Sequence, residues 1–596
     1  MRQVFQSKFI DLALIFLGTV VALNLAMSWE EASKFGDAYL PVGHDSFYHA
    51  VRIIDAVKSG NWLVFQFDPL MHAPEGNWVN WPWAYDSFLA LIVRAALFVG
   101  FDFSVSKLIA YSAMIWLPIN IALIVMLTRA LGFTVWIKLA VVVAYVLSPL
   151  TQGIHGVGVL DHHQAEQAMF LLIAVTWLFW LADLDNKYKA AASGLVLGFA
   201  PAIHTSLFLP ALCILASFTF IWIRKEMPSL RMVMVFCIGA LSGAIIALWP
   251  APIVDGLEFS YHTLSWFHLG VIIAVVAYAL TLSSIDFTLH RAGYLLLGVL
   301  LIAALGYEFI YTGINYVTGE ERLVSKVLES QSFVYEWMSG ERSFWNIANY
   351  YTGWVWLLPI VFLYSFYVLF SEINRVRISL YVFALFGIIF LSGQFRFHVF
   401  GSPFLFFIPL MVINDFLKDR NGYVKMVVPL MAMVLSLPAW SRLEAKPALA
   451  MDKDYQLMLH PYAILQSICN KQPGVVLADN NDGHYIRYNT GCAIVSNNFF
   501  VDEVAQSKVK QAQTIMDAVA ETGTVPEQAE WVKYIFVRVF KENQDNLGGG
   551  GKLPSNITIL ASNKREFNGV HLVWESPVKI NVGKKVLPLA KIFVVK

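Results

Sequence analysis

The stretch Gly156–Asp183 reads GVGVLDHHQAEQAMFLLIAVTWLFWLAD and joins a polar segment to a long apolar run. The apolar part, residues 164–183, has the length of about 20 residues that a helix needs to cross a bilayer. Asp161, His162 and His163 stand immediately before it, and ionisable residues at such a position usually mark a functional site. The stretch therefore predicts a membrane-spanning helix with a polar cluster at one end.

Similar apolar runs occur along most of the chain. They lie near 9–28, 106–128, 134–150, 189–203, 204–223, 232–250, 263–284, 292–311, 350–370, 378–393, 397–415 and 425–440. The chain is 58% hydrophobic and 14% charged, whereas a soluble domain has about 25% charged residues. We therefore expect an α-helical polytopic membrane protein with about thirteen transmembrane helices.

The positively charged residues predict the topology. A further run, 84–100, contains Asp86 and Arg94. If this run does not cross the membrane, the short loops rich in Lys and Arg all fall on one side, as the positive-inside rule requires. We therefore interpret 84–100 as an interfacial or re-entrant helix, with the N-terminus in the cytoplasm and the C-terminus outside.

The predicted transmembrane domain comprises residues 1–441 and carries two long outer loops, 29–105 and 312–349. Residues 442–596 form an extracytoplasmic tail. This tail mixes short β-type runs with one helical stretch near 502–520, which predicts a mixed α/β domain. Cys469 and Cys492 both lie in it and can form a disulfide if the tail is outside the cytoplasm.

Two outer segments carry groups that bind cations. Asp45 lies in Gly43–His49 of the first loop, and Asp161, His162 and His163 precede Glu166. Carboxylate and imidazole groups from two loops can converge on a hard or borderline divalent cation. Alternatively, Asp161 caps the following helix and the histidines anchor it at the interface.

Two more charged residues stand at outer positions. Glu329 lies in the second long loop, and Arg396 lies between two apolar runs. An arginine at that depth either reaches the interface with its long side chain or binds an anion such as phosphate. Taken alone, Glu329 is typical of a charged side chain exposed to solvent.

Together these segments resemble the catalytic subunits of oligosaccharyltransferases, membrane glycosyltransferases of the GT-C type, in their archaeal or bacterial single-subunit form. The layout of thirteen spans, a long first outer loop and an outer C-terminal domain is similar too. The resemblance implies that Asp45, Asp161 and His163 bind Mn²⁺ or Mg²⁺. It also implies that Arg396 and His162 bind the donor diphosphate.

The same resemblance assigns the acceptor site. Asp45 and Glu329, which ends the segment Val327-Leu328-Glu329, would be the catalytic carboxylates that contact the acceptor. The family reads Asn-x-Ser/Thr with Trp-Trp-Asp-Tyr-Gly, preceding a strand that corresponds here to Tyr485–Tyr488. The corresponding slot holds Asp479, Asn480, Asn481, Asp482 and Gly483. Only the glycine matches, so we expect acceptor recognition to differ from that of the family.

The predicted reaction is glycan transfer from a polyprenyl-diphosphate donor to an acceptor on the outer face, with a protein as the first acceptor class. The alternatives are a glycan ligase or polymerase with a sugar or lipid acceptor, and a non-enzymatic transporter of lipid-linked intermediates. The expected partners are the lipid-linked oligosaccharide, the acceptor and membrane lipid. A formal net charge of zero argues against nucleic acid.

Overall fold

The computed structural model describes residues 2–79, 81–250, 260–261, 263–305, 307, 352–371, 374–417, 420, 422–436, 447–498, 503–539, 555–562, 569–582 and 585–596. The whole outer loop 312–349, with Glu329, lies outside these residues. So does the glycine-rich segment 548–551.

Within the described residues, eight helices are long and apolar enough to cross a membrane. They are Lys8–Met27, Val105–Ala130, His163–Leu181, Thr205–Ile223, Leu230–Leu248, Trp266–Ser284, Arg375–Gly393 and Phe395–Phe416. The protein is thus an integral membrane protein, and the predicted helical membrane fold is confirmed.

Each of the other predicted spans also contains a helix, although a shorter one. These helices are Val135–Val146, Lys187–Phe199, Leu289–Leu305, Leu358–Ser371 and Gly422–Ser436. The number of thirteen spans remains a prediction. Residues 84–100 form the helix Ala84–Val99, which has 16 residues.

Close packing of two helices shows how the sequence determines the bundle. Gly194 and Gly198 in Lys187–Phe199 face Gly239 and Gly243 in Leu230–Leu248. A Cβ atom at Gly198 would lie 1.9 Å from the carbonyl oxygen of Ala240. Because no side chain fits there, the backbones approach directly, which is the usual role of a small-xxx-small pattern in membranes.

The chain divides into two compact units. The first comprises Met1–Glu31, Trp81–Ile92 and Ala110–Pro447, and holds most of the apolar helices. The second comprises Ala32–Asn80, Val93–Ile109 and Ala448–Lys596. The second unit therefore includes much of the first outer loop together with the C-terminal residues, whereas the sequence alone predicts a boundary at 441/442.

The second unit contains a five-stranded mixed sheet. Its strands stand in the order Ala493–Ile494, Val475–Leu477, Val532–Arg538, Ala590–Val595 and Val570–Glu575. The first three strands are parallel and the last two are antiparallel to their neighbours. The strands Lys579–Val582 and Lys585–Pro588 form a separate hairpin.

Helices cover this sheet. They are Pro447–Lys471, Glu503–Thr522 and Ser555–Ser562. Buried apolar side chains such as Val519, Ile535, Leu560 and Phe593 form the core between them and the strands. The predicted α/β character of the tail is therefore present.

Two further expectations for the tail have clear outcomes. The predicted pairing of Cys469 with Cys492 is confirmed, since the two form a disulfide. The strand expected at Tyr485–Tyr488 is wrong, because these residues lie in the helix Gly483–Asn489. Their aromatic content favours a strand locally, but Tyr485 and Tyr488 pack against the ring of Phe47 from another helix, and this packing determines the conformation.

Candidate active site

In the first unit, Asp161 and His163 lie together at the start of the helix His163–Leu181. Asp161 Oδ2 is 3.3 Å from His163 Nε2. Asp161 Oδ1 accepts a hydrogen bond from the backbone N–H of His162 at 2.8 Å and lies 2.9 Å from His162 Nδ1. One carboxylate therefore holds both imidazoles, and its side chain keeps 20% of its surface exposed.

Glu166, one turn further along the same helix, orients His163 from the other side. Its Oε2 lies 3.2 Å from His163 Nδ1. Its Oε1 lies 3.0 Å from His204 Nδ1 and accepts a hydrogen bond from the Ser206 hydroxyl. His163 is thus placed between two carboxylates, an arrangement that fixes the ring of a metal ligand in many proteins.

The segment before the helix is held by buried polar contacts. The Tyr85 hydroxyl donates to the carbonyl of Leu160 at 3.0 Å or of Asp161 at 3.1 Å. It also accepts from Gln164 Nε2 at 2.8 Å. Asn120 Nδ2 donates to the carbonyl of Gln164 at 3.1 Å. These contacts fix the backbone around Asp161, so its carboxylate has a defined position.

The segment that carries Arg396 reaches the same cluster. Arg396 is half-buried in the short 3₁₀ helix Phe395–Phe397. Two residues later, the ring of His398 lies 5.3 Å from that of His163 and stacks on Phe395 at 5.1 Å. Ser402 accepts from Gln167 Nε2 at 3.3 Å. The structure therefore brings the predicted donor-binding segment against the Asp161–His163 pair.

In the second unit, Asp45 lies in the first turn of the helix His44–Ser59 and is half-buried. This helix packs on Gly483–Asn489, which begins at the last residue of the predicted acceptor slot. The ring of Phe47 is 4.7 Å from that of Tyr485, and Tyr48 is 5.3 Å from His484. The predicted acceptor-facing carboxylate and the predicted acceptor slot therefore lie on neighbouring helices.

An ion pair links the first outer loop to the helix Gly483–Asn489. Arg487 donates to both carboxylate oxygens of Asp68, at 3.0 Å and 3.3 Å, and the Tyr48 hydroxyl donates to Oδ2 of Asp68 at 3.1 Å. A bidentate pair of this kind gives geometric specificity as well as energy. It keeps Gly483–Asn489 in place against the loop.

The predicted slot is built from small polar residues, two of which bind each other. Asp479 accepts from the Asn481 backbone N–H at 3.0 Å and from its side-chain amide at 2.9 Å. Asp482 is buried, 2.7 Å from Arg538 Nε and 3.1 Å from the Tyr462 hydroxyl. Burial raises the pKa of Asp482 to about 7, while Arg538 acts in the opposite direction. A Cβ at Gly483 would lie 2.3 Å from the Ser496 carbonyl oxygen, which explains the glycine.

A small pocket opens beside this slot. Asp479, Asn480 and Ser496 form its polar side. Its apolar side is formed by Val509, Ala512 and Met516 of the helix Glu503–Thr522, with Ile557. Ala478, Gln513 and Asn556 complete the lining. The pocket therefore combines hydrogen-bonding groups with an apolar wall that the helix supplies.

The structure brings some of the predicted site residues together and leaves others apart. Asp161, His162 and His163 form one cluster, and the Arg396 segment packs beside it. Asp45 belongs to the second unit, so its place in a metal site with Asp161 and His163 remains a prediction. Glu329 lies outside the described residues.

The sequence did not single out His204, Ser206, His398 or Tyr85. His204 and Ser206 interrupt an otherwise apolar stretch at the start of the predicted span 204–223, in Pro201-Ala-Ile-His-Thr-Ser206. Polar residues inside membrane segments are rare and usually functional. That signal was therefore present in the sequence, although their partner Glu166 was not evident from it.

No family model matches the chain, and no curated protein matches it by sequence. Solved structures do match. The archaeal oligosaccharyltransferase AglB from Archaeoglobus fulgidus, in complex with an inhibitory peptide and a dolichol-phosphate, has a TM-score of 0.67 and 16% identity. That match covers 89% of this chain and 69% of AglB.

Two other structures of the A. fulgidus oligosaccharyltransferase agree. The one tethered with an acceptor peptide containing the NVT sequon has a TM-score of 0.65 at 16% identity, covering 89% of this chain and 69% of that chain. The one in complex with Zn and sulfate has a TM-score of 0.61 at 15% identity, covering 88% and 67%. The fold thus defines a polytopic membrane protein with the oligosaccharyltransferase architecture. The chain shares this fold with archaeal AglB, and the predicted resemblance is confirmed for the fold.

Proposed function

We propose that this protein is a metal-dependent membrane glycosyltransferase that moves a glycan from a polyprenyl-diphosphate donor to an acceptor on the outer face, with protein as the first acceptor class. The observation that carries the proposal is the Asp161–His163 pair, with the Arg396 segment packed beside it through His398. A cation-binding pair next to an arginine is what a diphosphate leaving group requires.

The donor atoms fit a divalent cation. Asp161 Oδ2 and His163 Nε2 are 3.3 Å apart, close to the spacing of neighbouring ligands whose bonds are about 2.0–2.2 Å long. A carboxylate and an imidazole suit Mn²⁺ well, and Mg²⁺ accepts the carboxylate. We assign Asp161, His163 and Asp45 as ligands. The A. fulgidus structure in complex with Zn and sulfate supports a cation and an anion in this fold.

The donor is held by charge and by hydrogen bonds. Arg396 offers a planar guanidinium that binds a phosphate with two parallel hydrogen bonds, and we assign His162 as a second contact to the diphosphate. When bound, the cation neutralises charge that develops on the leaving diphosphate. The dolichol-phosphate bound by AglB supports a prenyl-linked donor for this chain.

We assign the orientation of the acceptor to the carboxylates of Asp45 and Glu329. Both would accept hydrogen bonds from the attacking group and hold it in line with the anomeric carbon. The helix of Asp45 packs beside Gly483–Asn489, which supports a role next to the acceptor slot. The acceptor peptide tethered to the A. fulgidus enzyme supports a protein acceptor.

A second candidate, a ligase or polymerase with a sugar or lipid acceptor, is favoured by one observation. Asp479 is engaged with Asn481, and Asp482 is buried against Arg538. Both carboxylates of the slot already have partners in the protein, and the two indoles of the family motif are missing.

The test is transfer by the purified full-length protein from a polyprenyl-diphosphate oligosaccharide, with Mn²⁺ or Mg²⁺ supplied. The proposal would be supported if the parent protein glycosylates the peptide and the Asp161→Asn variant does not. The same metal-dependent transfer to a glycolipid only would favour the ligase. Absence of transfer to any acceptor class from a donor that binds would contradict both.

A further inference from the structure

One buried amide touches both ends of the segment that carries the Asp161–His163 pair. Asn120 lies on the helix Trp116–Ala130 and is fully buried. Its Nδ2 atom lies 3.0 Å from His155 Nε2 and donates a hydrogen bond to the backbone carbonyl of Gln164 at 3.1 Å. Residues 155 and 164 flank the Asp161–His163 pair, so a single side chain closes the segment between them.

The directions of these hydrogen bonds follow from the chemistry of the partners. A carbonyl oxygen only accepts, so the Gln164 carbonyl requires that Asn120 turns Nδ2 and not Oδ1 towards it. The second hydrogen of Nδ2 is then donated to His155 Nε2, which must present a lone pair. The ring proton of His155 lies on Nδ1, which donates to the carbonyl of Thr151 at 2.7 Å. Both hydrogens of the amide and both nitrogens of the ring are therefore used, and His155 is a neutral imidazole in one tautomer.

The segment itself contains two glycines. Gly158 has a φ of +82°, a conformation that glycine adopts without strain, although glycine also loses the most conformational freedom on folding. A Cβ atom at Gly156 would lie 3.0 Å from Cγ of Trp29, so this glycine allows close packing. We therefore expect the position of Asp161 to depend on contacts that fix the ends of the segment.

The chain of hydrogen bonds continues from Gln164 to the backbone of Asp161. The side-chain Nε2 of Gln164 donates to the Tyr85 hydroxyl at 2.8 Å. That hydroxyl donates to the carbonyl of Leu160 at 3.0 Å or of Asp161 at 3.1 Å. The four side chains of this chain are at most 1% exposed, and they are those of His155, Asn120, Gln164 and Tyr85.

Polar side chains between membrane helices can also serve only to join the helices. The bond from Asn120 to the first turn of His163–Leu181 would suffice for that role. The bond to His155 reaches the opposite end of the Asp161 segment, where the short helix Pro149–Ile154 ends. A side chain that bonds to both ends restricts the segment as a whole, which favours a role in the site.

We propose that Asn120 and His155 are positioning residues for the metal site, an inference that rests on the proposed function. Neither residue is a ligand. Through Gln164 and Tyr85 they hold the backbone of Asp161 so that its carboxylate faces His163 before the cation binds. Residues that orient metal ligands typically contribute ~10–100-fold to metal affinity or activity.

The experiment measures Mn²⁺ binding to the full-length protein in detergent, from the electron paramagnetic resonance signal of the free ion. Glycan transfer is measured separately as a function of Mn²⁺ concentration. Asn120→Leu removes the amide at similar volume and should weaken Mn²⁺ binding ~10–100-fold. Excess Mn²⁺ should restore its transfer rate, because the ligands are intact. Asp161→Asn lacks a ligand, and excess Mn²⁺ should not restore its transfer.

Graded variants separate positioning from packing. His155→Gln keeps an acceptor for the Asn120 amide and should lose less Mn²⁺ affinity than His155→Leu. Tyr85→Phe removes only one hydroxyl, so it remains informative if Asn120→Leu does not fold, and it should also weaken Mn²⁺ binding. Thr128→Val is the matched control. Its buried hydroxyl lies on the same helix as Asn120 but donates to the carbonyl of Val125, so this variant should bind Mn²⁺ like the parent.

Thermal unfolding shows which variants are folded. Parental Mn²⁺ affinity in folded Asn120→Leu or Tyr85→Phe would overturn the inference. A loss of transfer that excess Mn²⁺ does not restore would also overturn it, because these residues would then act through helix packing. Both outcomes leave the proposed function intact. A parent protein that binds no Mn²⁺ would instead contradict the proposed function and this inference together.

Discussion

Asp161 Oδ2 lies 3.3 Å from His163 Nε2, at the first turn of a helix that crosses the membrane. The opposite nitrogen of the His163 ring faces Glu166 Oε2 at 3.2 Å. The ring is thus fixed from one side and directed to Asp161 on the other. An arrangement of this kind preorganises two ligands before a metal ion binds.

The first prediction follows from this pair. Asp161→Asn and His163→Ala should each reduce glycan transfer by ~10³-fold or more, since a bound cation supplies several kcal/mol of charge stabilisation. Transfer is measured with saturating Mn²⁺ and lipid-linked donor. Asp183→Asn, at the other end of the same helix and paired with Lys189 on the surface, is the matched control and should remain active. Equal losses in all three variants would point to misfolding instead of metal loss.

The second prediction concerns topology. A reporter that is active only outside the cytoplasm should be active when fused after residue 445 and inactive when fused after Arg420. The reason is the consistent placement of Lys and Arg in the loops of one side. If the reporter is instead inactive after residue 445 and active after Arg420, the predicted topology is inverted. The proposed reaction on the outer face would then be wrong.

The third prediction concerns the donor. Arg396→Ala leaves a phosphate charge poorly compensated and should weaken donor binding by about 2–5 kcal/mol. Arg396→Lys should restore part of this loss, because lysine keeps the charge but not the bidentate geometry. Binding of a labelled lipid-linked donor to the detergent-purified protein measures both. Arg231→Ala, an exposed arginine at the start of another helix, is the control. If Arg396→Ala binds the donor with the affinity of the parent protein, then Arg396 is only an interfacial anchor.

The fourth prediction concerns acid stability of the second unit. Burial, with smaller contributions from the neighbouring His44, His72 and His49, lowers the pKa of His484 to about 3. The unfolded chain binds a proton at this histidine near its ordinary pKa of 6.5, whereas the folded chain does not. Stability should therefore be full above pH 6.5 and fall as the pH drops below it, by roughly 3 kcal/mol at pH 4.

Thermal unfolding of the full-length protein between pH 4 and pH 8 measures this effect. His484→Gln removes the titrating group, so its melting temperature should fall less between pH 8 and pH 4 than that of the parent. The comparison uses this difference and not the absolute melting temperature, which also reflects packing. Identical pH profiles for parent and variant would mean that His484 does not contribute.

The membrane helices could be predicted from the sequence because each depends only on one continuous run of apolar residues. An apolar run such as 232–250 has enough length and hydropathy to be assigned without knowledge of its neighbours, and it overlaps the helix Leu230–Leu248. The pairing of Cys469 with Cys492 was predictable for a related reason. The tail contains only these two cysteines, and both were expected to lie in an oxidising compartment.

The contacts between distant segments could not be predicted in this way. Asp68 and Arg487 are 419 residues apart in the chain, and no local pattern pairs them. The helical state of Gly483–Asn489 depends on the rings of another helix, and short segments are easily dominated by such tertiary contacts. For the same reason, His204 was not recognised as a partner of Glu166.

The last prediction concerns the acceptor. A pocket that reads Thr needs an apolar wall for the methyl group and a free hydrogen-bonding group for the hydroxyl. The two indoles of the family motif are replaced here by Asp479 and Asn480, and Asp479 already binds Asn481. We therefore expect weak or no preference for Asn-x-Ser/Thr, with discrimination reduced ~10–200-fold. The apolar wall of the adjacent pocket comes from Val509 and Met516, so acceptor recognition should depend on these tail residues instead.

The assay compares paired peptides, one with the sequon and one with its Ser or Thr replaced by Ala, using the same lipid-linked donor. Met516→Ala should change transfer to the preferred acceptor, because it removes part of the pocket wall. Val504→Ala, an exposed position on the same helix, is the control and should not. Strong transfer to the sequon peptide alone, unaffected by Met516→Ala, would contradict this prediction and would indicate that the polar slot reads the sequon by contacts other than those of the family motif.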